Sequence, residues 1–278
     1  MKEKTITEER MNLFREYLLQ EEKSEATVEK YMRDIRFFAH FAGEEAVTKD
    51  IVKRYKEHLI NAGYAVSSVN SMLAGLNSFL SFFGWGECKV KNIRQQRDVY
   101  CREEKNLTKE EYLRLIGACG KNSQLKLIIQ SICSTGIRVS ELKYFTVEGL
   151  REGEITVRCK GKVRRILIPS KLRKMLMGYA KKCGIASGCV FVGRSGKALH
   201  RTQIWRMMKS LCRKAGVEES KVFPHNLRKL FAKTFYRIEK DIAKLADILG
   251  HSSINTTRIY IMSTGVEHRR KIEKLGLV

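Results

Sequence analysis

The chain has no Cys-x-x-Cys pair; its eight cysteines stand singly at 88, 101, 119, 133, 159, 183, 189 and 212. This spacing argues against a zinc ribbon and a disulfide framework and fits reduced cytosolic thiols. Met1 to Arg10 is rich in charge and threonine and lacks the apolar core of a signal peptide, so a cytoplasmic protein is expected. Residues 59–86 carry no charged side chain, yet Asn61, Asn70, Asn77 and five serines interrupt the run, as in an amphipathic helix rather than a membrane span. Acidic residues are scarce, 30 against 54 Lys and Arg. Those after Gln95 are scattered without metal-ligand spacing, so neither a metal-dependent nuclease nor a cofactor is expected. There is no internal repeat and no low-complexity tract.

The formal net charge of +24 on 278 residues favours a polyanionic partner. A basic membrane-surface protein would carry a basic amphipathic helix or a lipidation signal, and neither is found. Of the basic and acidic residues, 15 and 14 precede Gln95, against 39 and 16 in the remainder, so nearly all the excess lies in the second part. With a polar, weakly periodic segment at the same place, this predicts a helical domain over residues 1–92, a linker over 93–106 and a second domain over 107–278.

The first part reads as a small helical bundle. Thr7 precedes Met11, Phe14 and Leu18; Ser24 precedes Val28, Tyr31, Ile35 and Phe38; Ile51, Tyr55 and Leu59 form a third stripe; Ser67 precedes Val69, Met72, Leu76, Phe79 and Phe83. The second part opens on Thr108-Lys-Glu-Glu111, a capping box. Glu154 to Cys159 and Arg164 to Ile168 read as a hairpin with a basic tip, and the rest is again helical. The expected fold class is mostly α with one small β-hairpin.

Phosphoryl transfer requires a nucleophile, cationic donors for developing charge and a proton donor for the leaving oxygen. Pro224-His-Asn-Leu-Arg228 sets His225 and Arg228 three residues apart, on one face if a helix begins at Pro224. Alone, such a pair is more often a solvated helix face. Asp241 to Leu249 reads as a helix with Ile242, Leu245 and Leu249 inward, stopped at Gly250; Ser252 and Ser253 can cap the next, with Thr257, Arg258 and Tyr260. His251 and Tyr260, nine apart, would face nearly opposite ways on one continuous helix, so the break between them is what lets both enter one site.

From Ser134-Thr-Gly-Ile-Arg-Val-Ser-Glu-Leu142, through Lys160, His225-x-x-Arg228 and Leu249-Gly-His251, to Tyr260, the chain resembles the tyrosine recombinase, or phage integrase, family. Six positions match in order over about 120 residues. Ser24 to Phe41, with Thr27, Tyr31 and Asp34, resembles the helical core-binding domain of that family. The likeness runs from about Ile6 to about Arg270 and is greatest to short Xer-type members and mobile-element integrases without an arm-binding domain. One departure is Lys229, where members commonly have histidine.

The resemblance implies a core-binding domain and a catalytic domain that close as a clamp on double-stranded DNA. It assigns Arg138 and Arg228 to the scissile phosphate, with Glu141 orienting Arg138. Lys160 is general acid toward the leaving 5′-oxygen, with Lys162 the runner-up; Lys162, Arg164 and Arg165 otherwise read as backbone contacts. His225 handles a proton near the nucleophile and His251 bonds a phosphate oxygen. Tyr260 is the nucleophile. A phenol with an ordinary pKa near ~10 needs nearby cations or a base to attack. Tyr236 is taken as packing, and Arg201 and Arg206, placed before a helix, as phosphate contacts. The implied reaction is a pair of transesterifications through a 3′-phosphotyrosine, serving DNA integration and excision or Xer-like resolution, without ATP or metal. Expected partners are a homotetramer on two DNA sites, with Met262 to Val278 reaching a neighbour, and accessory proteins. Alternatives are a type IB topoisomerase and a catalytically inactive DNA-binding regulator.

Overall fold

The computed structural model describes residues 4–95, 106–121, 123–159, 162–262 and 265–276. It separates into two compact units, Met1–Arg97 and Asp98–Val278. Within the expected 93–106 linker, residues 96–105 lie outside the described ones.

The first unit is helical: α1 (Glu8–Gln20), α2 (Glu25–Ala42), α3 (Lys49–Asn61) and α4 (Val66–Phe82), followed by a 3-10 turn at Gly86–Cys88. Thr7 and Thr48 cap α1 and α3, each hydroxyl accepting the backbone N–H three residues on, at 3.2 and 3.3 Å. Phe14, Leu18, Ile35, Phe38, Tyr55, Leu59, Leu73 and Phe79 are fully buried in one core. The fourth helix starts earlier than the Ser67 expectation: it begins at Val66 behind Ala65, without a side-chain cap. Burial of Val69, Leu73, Leu76 and Leu80 holds this helix, and Ser67 lies inside its first turn.

In the second unit the capping box forms, with Thr108 Oγ1 accepting Glu111 N–H at 3.1 Å and Glu111 Oε2 accepting Thr108 N–H at 2.8 Å. It opens α5 (Lys109–Ala118), followed by α6 (Ser123–Thr135), a 3-10 turn (Val139–Tyr144) and α7 (Val147–Glu152). The antiparallel hairpin is β1 (Glu154–Cys159) and β2 (Lys162–Leu167), with Val157 opposite Arg164 and Ile155 opposite Ile166. The second strand thus begins two residues before the expected Arg164, because Cys159 already pairs with Lys162. Then come α8 (Ser170–Lys182), α9 (Arg201–Lys209), α10 (Cys212–Ala215), α11 (Pro224–Glu239), α12 (Ile242–Leu249), α13 (Ile254–Ile261) and α14 (Gly265–Glu273). Arg201 and Arg206 fall within α9 rather than before it, because His200 is the capping residue.

This unit has a large core from Leu107 to Leu227 and a separate small one of Ala232, Leu245, Leu249 and Tyr260, flanked by Phe231, Phe235, Tyr236 and Ile261. The small core joins α11, α12 and α13 and so fixes their relative positions. Among the described residues, no helix is long and apolar enough to cross a membrane.

Candidate active site

Three chain breaks assemble the site. The first follows α6 at Gly136, which has φ +65°; a Cβ there would lie 2.5 Å from Phe231 and 2.9 Å from Leu249. Both the left-handed backbone and the contact call for glycine. The second is the start of α11, where Pro224 takes the first helical position and costs no hydrogen bond. The third is Gly250, φ +61°, which ends α12 in a left-handed cap and lets Ser253 start α13, its hydroxyl accepting Asn255 N–H at 3.3 Å.

Arg138, half-exposed just after the first break, donates through Nη1 to Glu141 Oε1 at 3.0 Å and through Nη2 to the Gly250 carbonyl at 3.1 Å. Glu141 is buried, and its Oε2 accepts both the Arg138 backbone N–H at 2.9 Å and Arg164 Nη2 at 2.5 Å. Arg228, only 2% exposed, donates through Nη1 to the Gly136 carbonyl at 2.5 Å and through Nη2 to the Leu249 carbonyl at 2.6 Å. The same Nη2 lies 3.0 Å from His251 Nε2. Since a guanidinium only donates, His251 Nε2 accepts here. The imidazole proton is then on Nδ1, donating to Thr257 Oγ1 at 2.9 Å. Thr257 is fully buried, on α13 one turn before Tyr260.

Tyr260 is buried in the small core, with the rings of His225 and His251 edge-on to it at centroid distances of 4.9 and 5.0 Å. Its hydroxyl lies 3.4 Å from His225 Nδ1. Phe223 lies parallel to the His225 ring, with ring centroids 6.4 Å apart.

Electrostatics follow from this crowding. Burial foremost, then Arg228, Arg138, Arg164 and His225, pushes the His251 imidazole down to about 4. Burial, then Arg228, Lys229 and Arg138, lowers His225 as well. Both rings are neutral at pH 7. Burial also pulls the Arg228 guanidinium down to about 10, with Arg138 adding to the shift and Tyr260 opposing it. It stays cationic at neutral pH. The result is a cluster in which three arginines face one carboxylate, an excess of positive charge that suits an anion, beside a phenol and two neutral imidazoles.

Five of the six residues singled out in the sequence, Arg138, His225, Arg228, His251 and Tyr260, thus come together. Lys160 lies outside the described residues. Arg164, read as a phosphate contact, instead points inward: its side chain is 14% exposed, and it also donates to the Leu249 carbonyl at 2.7 Å. Strand alternation could have shown this, because Arg164, Ile166 and Ile168 share a parity and both isoleucines are buried. Thr257 had no comparable signal as a histidine partner.

The phage integrase family model matches residues 105–265, and a phage integrase N-terminal SAM-like domain matches residues 11–85. Tyrosine recombinase XerA of Pyrococcus furiosus is 31% identical over 286 residues, covering 100% of this chain and 98% of the relative. Tyrosine recombinase XerC of Thermodesulfovibrio yellowstonii is 29% identical, covering 94% and 93%. Among solved structures, XerA recombinase superposes with a TM-score of 0.53 at 26% identity, covering 97% of this chain and 98% of the other. A lambda integrase dimer bound to a COC′ core site shares the fold, with a TM-score of 0.74 at 15% identity over 93% and 96% of the two chains. The family matches to both parts of the chain and the full-length similarity to XerA show that the chain belongs to the phage integrase family of tyrosine site-specific recombinases.

Proposed function

We propose that Tyr260 attacks a phosphate of duplex DNA, forming a 3′-phosphotyrosine and releasing a 5′-hydroxyl, and that the hydroxyl of a partner strand then displaces the tyrosine. The observation that carries this reading is the convergence of Arg138, Arg228, His225 and His251 around one phenol, drawn from separate elements.

Neutral His225, beside the hydroxyl, takes the phenol proton at Nδ1; 3.4 Å is long for this bond, and such contacts commonly tighten once substrate is bound. Arg138, half-exposed, and Arg228 donate to the non-bridging oxygens as charge builds. An arriving phosphate favours the charged form of His251: Nδ1–H stays on Thr257, while the new Nε2–H and the Arg228 Nη2 that Nε2 no longer accepts both turn to the phosphate. Lys160 is the general acid toward the 5′-oxygen. The first unit and the basic second unit grip the DNA. Four copies act on two DNA sites, with the segment from Met262, including the exposed Val266, Ile272 and Leu275, contacting a neighbour. Accessory proteins and a cytoplasmic setting complete the proposal.

Y260F tests it on a suicide substrate resolved by denaturing gel: the covalent adduct should vanish while DNA affinity stays within a factor of about two, because one hydroxyl adds little to a large phosphate interface. A full-strength adduct would make another residue the nucleophile. For Lys160, a 5′-bridging phosphorothiolate, whose thiolate leaves without a proton, should rescue K160A and not K162A. Rescue of K162A alone would exchange their roles.

A further inference from the structure

We propose that Arg164 is a positioning residue for strand cleavage: it does not bind DNA but holds Glu141 and the end of α12, and through them sets the phosphate-facing donors of Arg138 and Arg228. This rests on the reading that those two arginines bind the scissile phosphate.

Arg164 sits on β2 opposite Val157, on the inward face with Ile166 and Ile168. One guanidinium nitrogen donates to Glu141 Oε2 at 2.5 Å and the other to the Leu249 carbonyl at 2.7 Å. The first acceptor is the carboxylate that orients Arg138. The second is a carbonyl that also accepts Arg228 Nη2 at 2.6 Å, so Arg164 and Arg228 converge on one oxygen. Arg164 also packs over Gly250, where an added Cβ would lie 2.6 Å from its Nη1. The Gly250 carbonyl in turn receives Arg138 at 3.1 Å. One planar fork therefore fixes a carboxylate and a helix end that between them orient both arginines. A lysine, with a single nitrogen, cannot reach both acceptors in that geometry.

A largely enclosed cation whose two terminal nitrogens are engaged by a carboxylate and a carbonyl is committed to partners inside the protein, which separates this role from an ordinary phosphate contact. Losing it would leave Glu141 with Arg138 alone and free the guanidinium to tilt. Misplacement of a reacting group by about 1 Å can cost on the order of a hundredfold in rate.

The experiment compares R164Q, R164K and R165Q in the full-length enzyme. Arg165 is the exposed neighbour, its side chain 76% accessible beside Glu154. Three quantities are read: thermal midpoint, salt dependence of DNA affinity, and single-turnover adduct formation at saturating DNA. For R164Q the expected result is a rate loss of about a hundredfold with an unchanged salt slope, while R165Q lowers affinity and keeps the saturated rate. R164K, which preserves the charge, should remain at least about tenfold slow, since it cannot span both acceptors. In the E141Q background, R164Q should add little further loss, because the two act as a unit.

A salt slope reduced by about one with a normal saturated rate would make Arg164 a phosphate contact and overturn the proposal. Wild-type saturated cleavage by R164K would also overturn it, and this holds even if R164Q fails to fold. The rate readout counts covalent adduct whichever residue forms it. Failure of the tyrosine assignment, detected with Y260F, is therefore distinct from failure of this one.

Discussion

In the first unit the buried carboxylate of Asp34 is met by Lys30, one turn earlier on the same helix, and by Arg33 next to it. In the second unit the buried carboxylate of Glu141 is met by Arg138 three residues away and by Arg164 from a strand 23 residues on. Buried Arg228 is held by carbonyls 92 and 21 residues distant in the chain. A pair within one helix can form as soon as its helix does; the tertiary fold adds only a bond from Lys30 Nζ to the Ser71 carbonyl of α4 at 2.8 Å, and the Lys30 side chain stays partly exposed. The second arrangement exists only when α6, the hairpin, α11 and α12 are all in place. The carboxylate of Asp34 thus finds its cations within its own helix, whereas that of Glu141 finds one of its two only through the tertiary fold, so at the site the fold's integrity and the geometry of the charges go together.

The largest expected effect follows from removing the centre of that network. R228A leaves the Gly136 and Leu249 carbonyls short of a donor and deletes a cation proposed to meet the phosphate, so single-turnover cleavage should fall by on the order of a thousandfold. D34N, which also disrupts a buried ion pair, should lower stability by about 1 kcal/mol and leave cleavage at saturating DNA within about twofold, because the loss stays inside the first unit and partly exposed Lys30 keeps its bond to the Ser71 carbonyl. Comparable cleavage losses in both variants would break the distinction between the Asp34 pairs and the network around Arg228.

Glycine substitutions sharpen the same contrast. Gly63 has φ +77° with nothing within 4 Å of an added Cβ, so G63A meets only backbone strain, about 1 kcal/mol. At Gly136 the strain is joined by contacts at 2.5 Å with Phe231 and 2.9 Å with Leu249, so G136A should cost about 3 kcal/mol. It should also slow cleavage, since its carbonyl holds Arg228. Equal loss of stability, measured by urea denaturation, would show that the site loop has room to yield.

Much of this architecture can be read from the amino-acid order, for a physical reason. Thr108 with Glu111, Pro224, Asp241 and Ser253 act on backbone groups within four residues, so their signals lie in one short window. Gly250 is legible in the same way, as the residue that tolerates a left-handed cap. Ser67 misleads because a serine inside a first turn resembles a cap, while apolar burial had already started the helix behind Ala65. The site's order and spacing are visible through motif resemblance, but its joinery is not. The carbonyls of Gly136, Leu249 and Gly250 accept arginines irrespective of side-chain identity, and no residue type announces a carbonyl's partner. Arg164 was obscured for another reason: next to Lys162 and Arg165 it belongs to a basic cluster, and only its parity with buried Ile166 and Ile168 sets it apart.

Acid should expose the tertiary network next. His251 is held at about 4, chiefly by burial, against an ordinary value of 6.5. Between those two values the unfolded chain binds a proton that the fold refuses. The neutral ring's contribution is therefore complete above pH 6.5 and declines as pH falls toward 4. His225, also lowered, adds in the same direction. The thermal midpoint of the wild type should thus drop more steeply from pH 7 to pH 4.5 than that of H251Q, which has nothing to protonate at that position. DNA should reverse the effect, since a phosphate favours the imidazolium. Binding heats measured in buffers of different ionisation enthalpy should then reveal proton uptake that H251Q lacks. Parallel acid profiles for the two proteins would show that the histidine's environment does not govern the acid sensitivity.

The smallest effect belongs to the first unit and tests whether a helix end there is as self-contained as the Asp34 pairs. Thr48 caps α3 through one bond, its hydroxyl accepting Ile51 N–H at 3.3 Å, while the helix itself is held by buried Ile51, Val52, Tyr55 and Leu59. T48A removes the cap and leaves the apolar face intact, so the cost should be about 1 kcal/mol. A chain of two compact units need not unfold in one step, and a single melting midpoint could hide so small a change. Amide hydrogen exchange resolves it by position. Amides in the first turn of α3 should lose about fivefold in protection, a local opening, while those of α12 and α13 keep theirs. Single-turnover cleavage should be unaltered, because the cap touches no group of the site. If protection falls equally in α13, the two units share one cooperative transition, and the division between the helical unit and the catalytic unit does not extend to their stability.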